Sequence, residues 1–232
     1  MIHKEKIFCA LDFTEIKETQ KFINKIRNHV GGIKIGLEFF FKNGPAGVKE
    51  IKKNGIPLFL DLKLKDIPNT VKKATENIVD LEPDFLSVHI TGGLKMLKEL
   101  IAVKKNVKIL GVSMLTSLDK SDLESFGIKL SNDNYVEKLC SLGLKAGIDG
   151  LVSSASEVRN LKKKFKKKIL FVTPGVRLKK TLMHDQKRVV SPGQAVKAGS
   201  SILIIGREIT QSKSPIDILK KISEDIEANI ES

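Results

Sequence analysis

The chain has no tryptophan, a single tyrosine, two cysteines and five arginines in 232 residues. Each scarcity excludes something. Cys9 and Cys140 are too few for a disulfide framework, and they match neither a CxxC redox motif nor a zinc-ligand pattern. Cys9 lies inside an apolar run, which suits a small buried filler, and a reducing, cytoplasmic setting is expected. The longest uninterrupted apolar run, Ile7 to Leu11, has five residues, against about 20 for a membrane span. No charged stretch followed by an apolar one opens the chain, so no secretory signal is expected.

The missing arginines and aromatics also bear on the charge. The formal net charge is +14, yet almost all the basic residues are lysine. Arg27, Arg159, Arg177, Arg188 and Arg207 complete the set, and Tyr135 is the sole tyrosine. Nucleic-acid binders use arginine forks for phosphates and bases, and aromatic platforms for single strands. The densest basic run, Lys162 to Lys168 around Phe165, reads better as a solvated helix end with one apolar anchor than as a polynucleotide patch. The excess charge favours anionic substrates through long-range attraction without naming one.

What is present is alternation. Hydrophobic residues make up 41% of the chain, enough for a core without disulfide or metal staples. Eight β-like runs recur: Lys6–Phe13, Gly32–Gly36, Pro57–Leu62, Asp84–Ile90, Val107–Leu115, Gly150–Ser153, Lys168–Thr173 and Ser201–Gly206. Amphipathic segments separate them, among them Glu15–Asn28, Pro68–Leu81, Leu94–Lys105, Asn132–Ala146, Ala155–Lys167 and Pro192–Ala198, and Pro215–Ala228 closes the chain. Spread over eight units, 232 residues give 29 per unit, the size of one βα repeat. An α/β fold is expected, a (β/α)8 TIM barrel forming a single domain over residues 1–232. No glycine-rich phosphate fingerprint follows the first run, which counts against an open nucleotide-binding sheet.

Because side chains two apart share a face of a strand, the pattern also assigns directions. Leu58, Leu60 and Leu62 face the helices, leaving Phe59, Asp61 and Lys63 inward. Ile7, Cys9 and Leu11 leave Phe8, Ala10 and Asp12 inward. Ile33 and Ile35 flank an inward Lys34. Leu86, Val88 and Ile90 alternate with Phe85, Ser87 and His89. Four successive strands thus aim Asp12, Lys34, Asp61, Lys63 and His89 at the C-terminal end of one interior, where barrel active sites are built. Buried ion pairs holding the barrel together are the plainer alternative. Ionisable groups are costly to bury, however, and apolar layers suffice for stability, so an active site is the better reading. His89 alone fits a supporting role and a satisfied core histidine equally. His3, His29 and His184 read as surface residues.

The seventh run ends Thr173-Pro174-Gly175-Val176-Arg177 and the eighth Ile205-Gly206-Arg207. Loops after strands seven and eight of such barrels often hold phosphate, which makes Arg177 and Arg207 candidate phosphate ligands. No metal-ligand spacing is evident, and Lys34 and Lys63 would repel a divalent cation. The expected chemistry runs on Lys and Asp without metal or cofactor.

The run Asp61-Leu62-Lys63-Leu64-Lys65-Asp66-Ile67-Pro68-Asn69-Thr70 resembles the DxKxxDIPNT signature of the orotidine 5′-phosphate decarboxylases, of the bacterial monofunctional type. The resemblance extends through Ala10–Phe13, Lys34–Gly36, Val88–Gly93, Leu115–Ser117, Thr173–Arg177, Asp185–Arg188 and Ile205–Thr210. It implies that Asp12 and Lys34 bind ribose hydroxyls, that Lys34 joins a charge network, that Asp61 faces the substrate carboxylate, and that Lys63 delivers a proton to C6. It implies a homodimer in which Asp66 and Thr70 reach the neighbouring subunit's site. Thr116, or alternatively Ser117, would recognise the pyrimidine. Arg177, Gln186, Gly206 and Arg207 would hold the phosphate, with Arg177 to Gln186 as a closing loop. Three positions depart from the family pattern: Leu64 and Lys65, where an aromatic and often a histidine are expected, and Ile90, where a smaller residue is. A Mg2+-dependent sugar-phosphate decarboxylase or aldolase sharing the DxKxxD motif is the nearest enzyme rival, and a basic nucleic-acid-binding protein the rival from another class.

Overall fold

A computed structural model describes residues 3–165, 169–178 and 190–230. Eight strands, β1 (Ile7–Leu11), β2 (Gly32–Gly36), β3 (Leu58–Leu64), β4 (Phe85–His89), β5 (Lys108–Val112), β6 (Gly150–Val152), β7 (Leu170–Thr173) and β8 (Ile202–Ile205), pair in parallel and in chain order, and β8 closes back on β1. The expected (β/α)8 barrel is the fold. The helices between the strands are α1 (Ile16–Ile26), α2 (Leu37–Lys52), α3 (Pro68–Val79), α4 (Gly93–Ile101), α5 (Lys120–Ser125), α6 (Asn132–Ala146), α7 (Ala155–Lys164) and α8 (Pro192–Ala198), followed by α9 (Arg207–Thr210) and α10 (Pro215–Ile230).

Two apolar clusters divide the interior along the strand faces. Phe8, Ala10, Phe59, Phe85, Leu110, Val172, Ile202 and Ile204 fill the barrel itself. Ile7, Cys9, Leu11, Leu58, Leu60, Leu86 and Val88 look the other way, into the layer shared with the helices. Period-two alternation therefore assigns the faces of β1, β3 and β4 correctly. Each helix returns one stripe to that layer, for instance Val136, Leu139, Cys140 and Gly143 of α6, spaced i, i+3, i+4, i+7. Helix ends follow local chemistry. Ser131 caps α6 and Gly147, at φ 99°, ends it in the left-handed region. Ser154 and Glu157 form a capping box on α7.

Three helices fall in segments the sequence reading did not name. Helix α2 is broken at Gly44, whose φ of 60° precedes Pro45, so its apolar period is interrupted halfway. Helices α5 and α9 are short pieces inside loops. Strand β5 also stops at Val112 rather than continuing to Leu115.

A repeated device tightens the N-terminal end of the barrel. Asp84, just before β4, accepts hydrogen bonds from Leu58 N at 2.8 Å and Lys52 Nζ at 2.7 Å. Asp149, just before β6, accepts from Ile109 N at 2.8 Å, and Lys104 Nζ lies 3.0 Å from it. Ser201, just before β8, accepts from Phe171 N at 3.2 Å. Each side chain satisfies an N–H at the start of the preceding strand that the ladder leaves over. The departure at Ile90 is explained here as well. Ile90 is fully buried, and a Cβ at Gly111 or Gly143 would lie 2.8 or 3.1 Å from its Cδ1. The larger side chain occupies room left by two glycines. Leu64 packs half-buried against the helix-facing layer.

Candidate active site

The site rests on an irregularity in β3. Leu60 pairs with Leu86 but Leu64 pairs with Val88, so four residues of β3 pass where two of β4 do. The surplus is taken up around Lys63, which adopts φ 51°, a left-handed conformation unfavourable for a residue with a Cβ. Such strain persists where surrounding contacts over-determine it, and it concentrates at functional sites.

Those contacts are specific. Lys63 Nζ donates to Asp61 Oδ2 at 2.8 Å, and Lys34 Nζ, from β2, lies 3.3 Å from the same oxygen. Ser87 Oγ, from β4, donates to the other oxygen, Asp61 Oδ1, at 2.7 Å and accepts from Lys63 N at 2.9 Å. Burial is the largest single influence on the Asp61 carboxyl and works against its ionisation. The Lys34 and Lys63 charges, with the hydrogen bonds from Lys63 and Ser87, outweigh it and hold the group below its ordinary value. The result is an ionised carboxylate with two ammonium groups at one oxygen and a hydroxyl at the other, largely withdrawn from water. His89 lies at the edge of this group. Burial, then the nearby Lys65 and Lys63 charges, lower its pKa, so the ring is neutral near pH 7 and adds no third cation.

A cavity of about 300 Å³ opens at the C-terminal end of the barrel, at the lower end of the range for small-molecule sites. Asp12, Lys34, Asp61, Lys63, Thr116, Arg177, Gly206 and Arg207 all line it. Of the alternatives after β5, Thr116 lines the cavity and Ser117 is exposed on the loop beyond it. Two glycines shape the far wall. Gly175 turns the chain after β7 at φ 76°. A Cβ at Gly206 would stand 3.3 Å from that of Ala10 and 3.8 Å from Asp12 Oδ2. The cavity's two ends differ in kind: lysines with Asp61 on the side of β2 and β3, and both arginines, with Glu208, on the side of β7 and β8.

Asp66 and Thr70 are exposed and do not line this cavity. Asp66 Oδ1 accepts from its neighbour Ile67 N at 2.6 Å. Gln186 lies outside the described residues, as do His184 and most of the segment expected to close. Cys9 is buried as expected and Cys140 is buried with it; burial pushes both thiols up, Cys140 to about 12. Among the described residues, no group of three or more His, Cys, Asp or Glu side chains is placed to hold a metal ion.

Three polar residues were not singled out by sequence reasoning. Ser87 was assigned to the inward face, but only the register shift brings it against both Asp61 and Lys63. Glu208 lines the cavity and its carboxylate accepts from Leu178 N at 3.0 and 3.2 Å, which ties the loop after β8 to the loop after β7. Ser153 lines the cavity with its Oγ buried and without a hydrogen-bond partner among the described residues.

A parallel barrel with paired lysines about a buried carboxylate and an arginine pair in one cavity defines an enzyme that works on a small anionic substrate. Residues 5–222 match the family described as orotidine 5′-phosphate decarboxylase / HUMPS, and the chain belongs to that family. It is 47% identical to the orotidine 5′-phosphate decarboxylase of Sphingopyxis alaskensis over 210 residues, covering 90% of this chain and 93% of that one. It is 43% identical to the enzyme of the same name from Erythrobacter litoralis, covering 97% and 98%. The crystal structure of orotidine 5′-phosphate decarboxylase from Lactobacillus acidophilus superposes with a TM-score of 0.83 at 29% identity, covering 95% of this chain and 98% of that one. By this kinship the chain is an enzyme of the carboxy-lyase class.

Proposed function

We propose that this chain, acting as one catalytic domain over residues 1–232, decarboxylates orotidine 5′-phosphate to UMP and CO2 in de novo pyrimidine biosynthesis. The observation that carries the reading is the Lys34–Asp61–Lys63 array, which opens into the same cavity as Arg177 and Arg207. Arg207, Arg177 and Gly206 hold the phosphate, joined by Gln186. Asp12 and Lys34 take the ribose hydroxyls, and Thr116 meets the pyrimidine.

This pose brings the substrate carboxylate against Asp61. The C6–carboxylate bond breaks heterolytically, CO2 leaves, and the electron pair stays on C6. The Lys63 ammonium, already in place, stabilises that carbanion and then transfers a proton to it; water returns a proton to Lys63. The array is preorganised, so no reorientation is required as charge moves. Grip on the remote phosphate supplies binding energy that is used at C6. With two ammonium groups about the only buried carboxylate of the array, the donor set suits an anionic intermediate and repels a divalent cation.

The working enzyme is a homodimer in which Asp66 and Thr70 of each chain complete the neighbour's site. Their exclusion from their own cavity supports this, as does the large apolar side chain of Ile67, next to Asp66, left 67% exposed. Its partners are the nucleotide and a second copy of itself, with neither nucleic acid nor membrane among them, and its setting is the cytoplasm. No helix among the described residues is long and apolar enough to cross a membrane. The test is spectrophotometric: orotidine 5′-phosphate should be consumed at an undiminished rate in excess EDTA. Inertness toward this nucleotide, with Mg2+-dependent turnover of a sugar phosphate, would replace the assignment.

A further inference from the structure

We propose that Ser87 is a positioning residue for the decarboxylation, its one hydroxyl setting both the carboxylate and the backbone that carries the reacting ammonium. The inference rests on the activity proposed above and extends it to a residue that does not touch the cavity. Ser87 is fully buried and stands on β4 opposite the place where the β3 ladder loses register. There Ser87 Oγ accepts the Lys63 N–H at 2.9 Å. The same oxygen carries one proton, and that proton goes to Asp61 Oδ1 at 2.7 Å. Both capacities of the hydroxyl are thereby used on two residues of one charge array.

The bridge has two consequences. It anchors Lys63 in its left-handed conformation, with the ammonium 2.8 Å from Asp61 Oδ2. It also fixes the rotation of the Asp61 carboxylate, turning one oxygen to the barrel wall and the other to both lysines. Asp61 is faced by Lys34 from β2, by Lys63 from its own strand, and by Ser87 and His89 from β4; Asp12 at the end of β1 lines the same cavity. Ser87 carries no ionisable group. Its removal therefore alters geometry and hydrogen bonding without changing net charge.

Ser87→Ala should lower kcat about 10- to 100-fold, the range expected for hydrogen bonds to a charged group, while KM changes less than about threefold. The acid limb of its kcat profile should move to higher pH, because a hydrogen bond that favours ionised Asp61 is gone. Residue-resolved hydrogen exchange without substrate should show the Lys63 amide protected in the wild type and in Ser87→Thr, and unprotected in Ser87→Ala. Ser87→Thr, which keeps the hydroxyl, should turn over within about threefold of wild type. Unchanged Lys63 exchange in Ser87→Ala overturns the proposal, and so does a Thr variant that melts with the wild type yet is as slow as Ala. Failure of the wild type to decarboxylate the nucleotide would count against the activity alone, since the exchange measurement reads the bridge directly.

Discussion

At the scale of the residue, the proposed chemistry turns on a carboxylate, Asp61, kept ionised where burial opposes it. Lys63 pairs with Asp61 and is the proton donor of the proposed mechanism, so Lys63→Ala should reduce turnover at least about 1000-fold while circular dichroism shows an intact barrel; near-normal turnover would remove Lys63 from the mechanism. Because the folded protein holds the Asp61 carboxyl below its ordinary value, the native state binds that proton less readily than the unfolded chain. The group's stabilising contribution is therefore fully present above the unfolded value, about pH 4, and is lost as pH falls through the lower folded value. Acid titration should show wild type losing stability more steeply than Asp61→Asn below that point. At the opposite end of the cavity, Arg207→Ala should weaken catalysis on the phosphorylated substrate by a factor of about 100 or more and on the bare nucleoside hardly at all. Equal losses on both would show that Arg207 does not hold phosphate.

Elements are held in place by different means at the two ends of the barrel. The N-terminal end is fastened by side chains that accept leftover strand N–H groups, Asp84, Asp149 and Ser201; the C-terminal end is left to polar loops and the irregular close of β3. Stability and chemistry are thereby separated along the strand axis. Asp149→Ala removes the acceptor for Ile109 N and the partner of Lys104. It should cost about 1–2 kcal/mol after allowance for solvent exposure, read as a lower urea midpoint with kcat unchanged. Most elements were legible from periodicity, and α6 and α8 match their expected bounds to the residue, because a capping serine and a following glycine mark both ends. Helix α2 was not, since Gly44-Pro45 breaks the very pattern by which a helix is read.

For the whole molecule, two copies are required if Asp66 and Thr70 serve a neighbouring cavity. Asp66→Ala and Lys63→Ala proteins, each inactive alone, should regain about a quarter of wild-type activity when unfolded and refolded together. Half of the resulting dimers are mixed, and each mixed dimer has one intact site. No recovery would place Asp66 within its own chain's chemistry. The net charge of +14 contributes at this scale as well, by attracting an anionic nucleotide, and kcat/KM should fall as salt is raised. Composition and spacing by themselves determined the eight-unit barrel, the faces of the first four strands, and the end at which Asp12, Lys34, Asp61 and Lys63 gather, because alternation is a local property of an extended chain. The DxKxxDIPNT run, followed in order by Thr173–Arg177 and Ile205–Thr210, pointed to the family. What the linear order does not contain is register. Only the closed sheet decided that β3 slips against β4, that Lys63 turns left-handed there, and that Ser87 meets both Asp61 and Lys63. Only the meeting of the β7 and β8 loops brought Glu208 to Leu178. Those contacts join residues 24 to 30 positions apart, and they arise from where strands stop sliding past one another, which packing across the whole barrel sets.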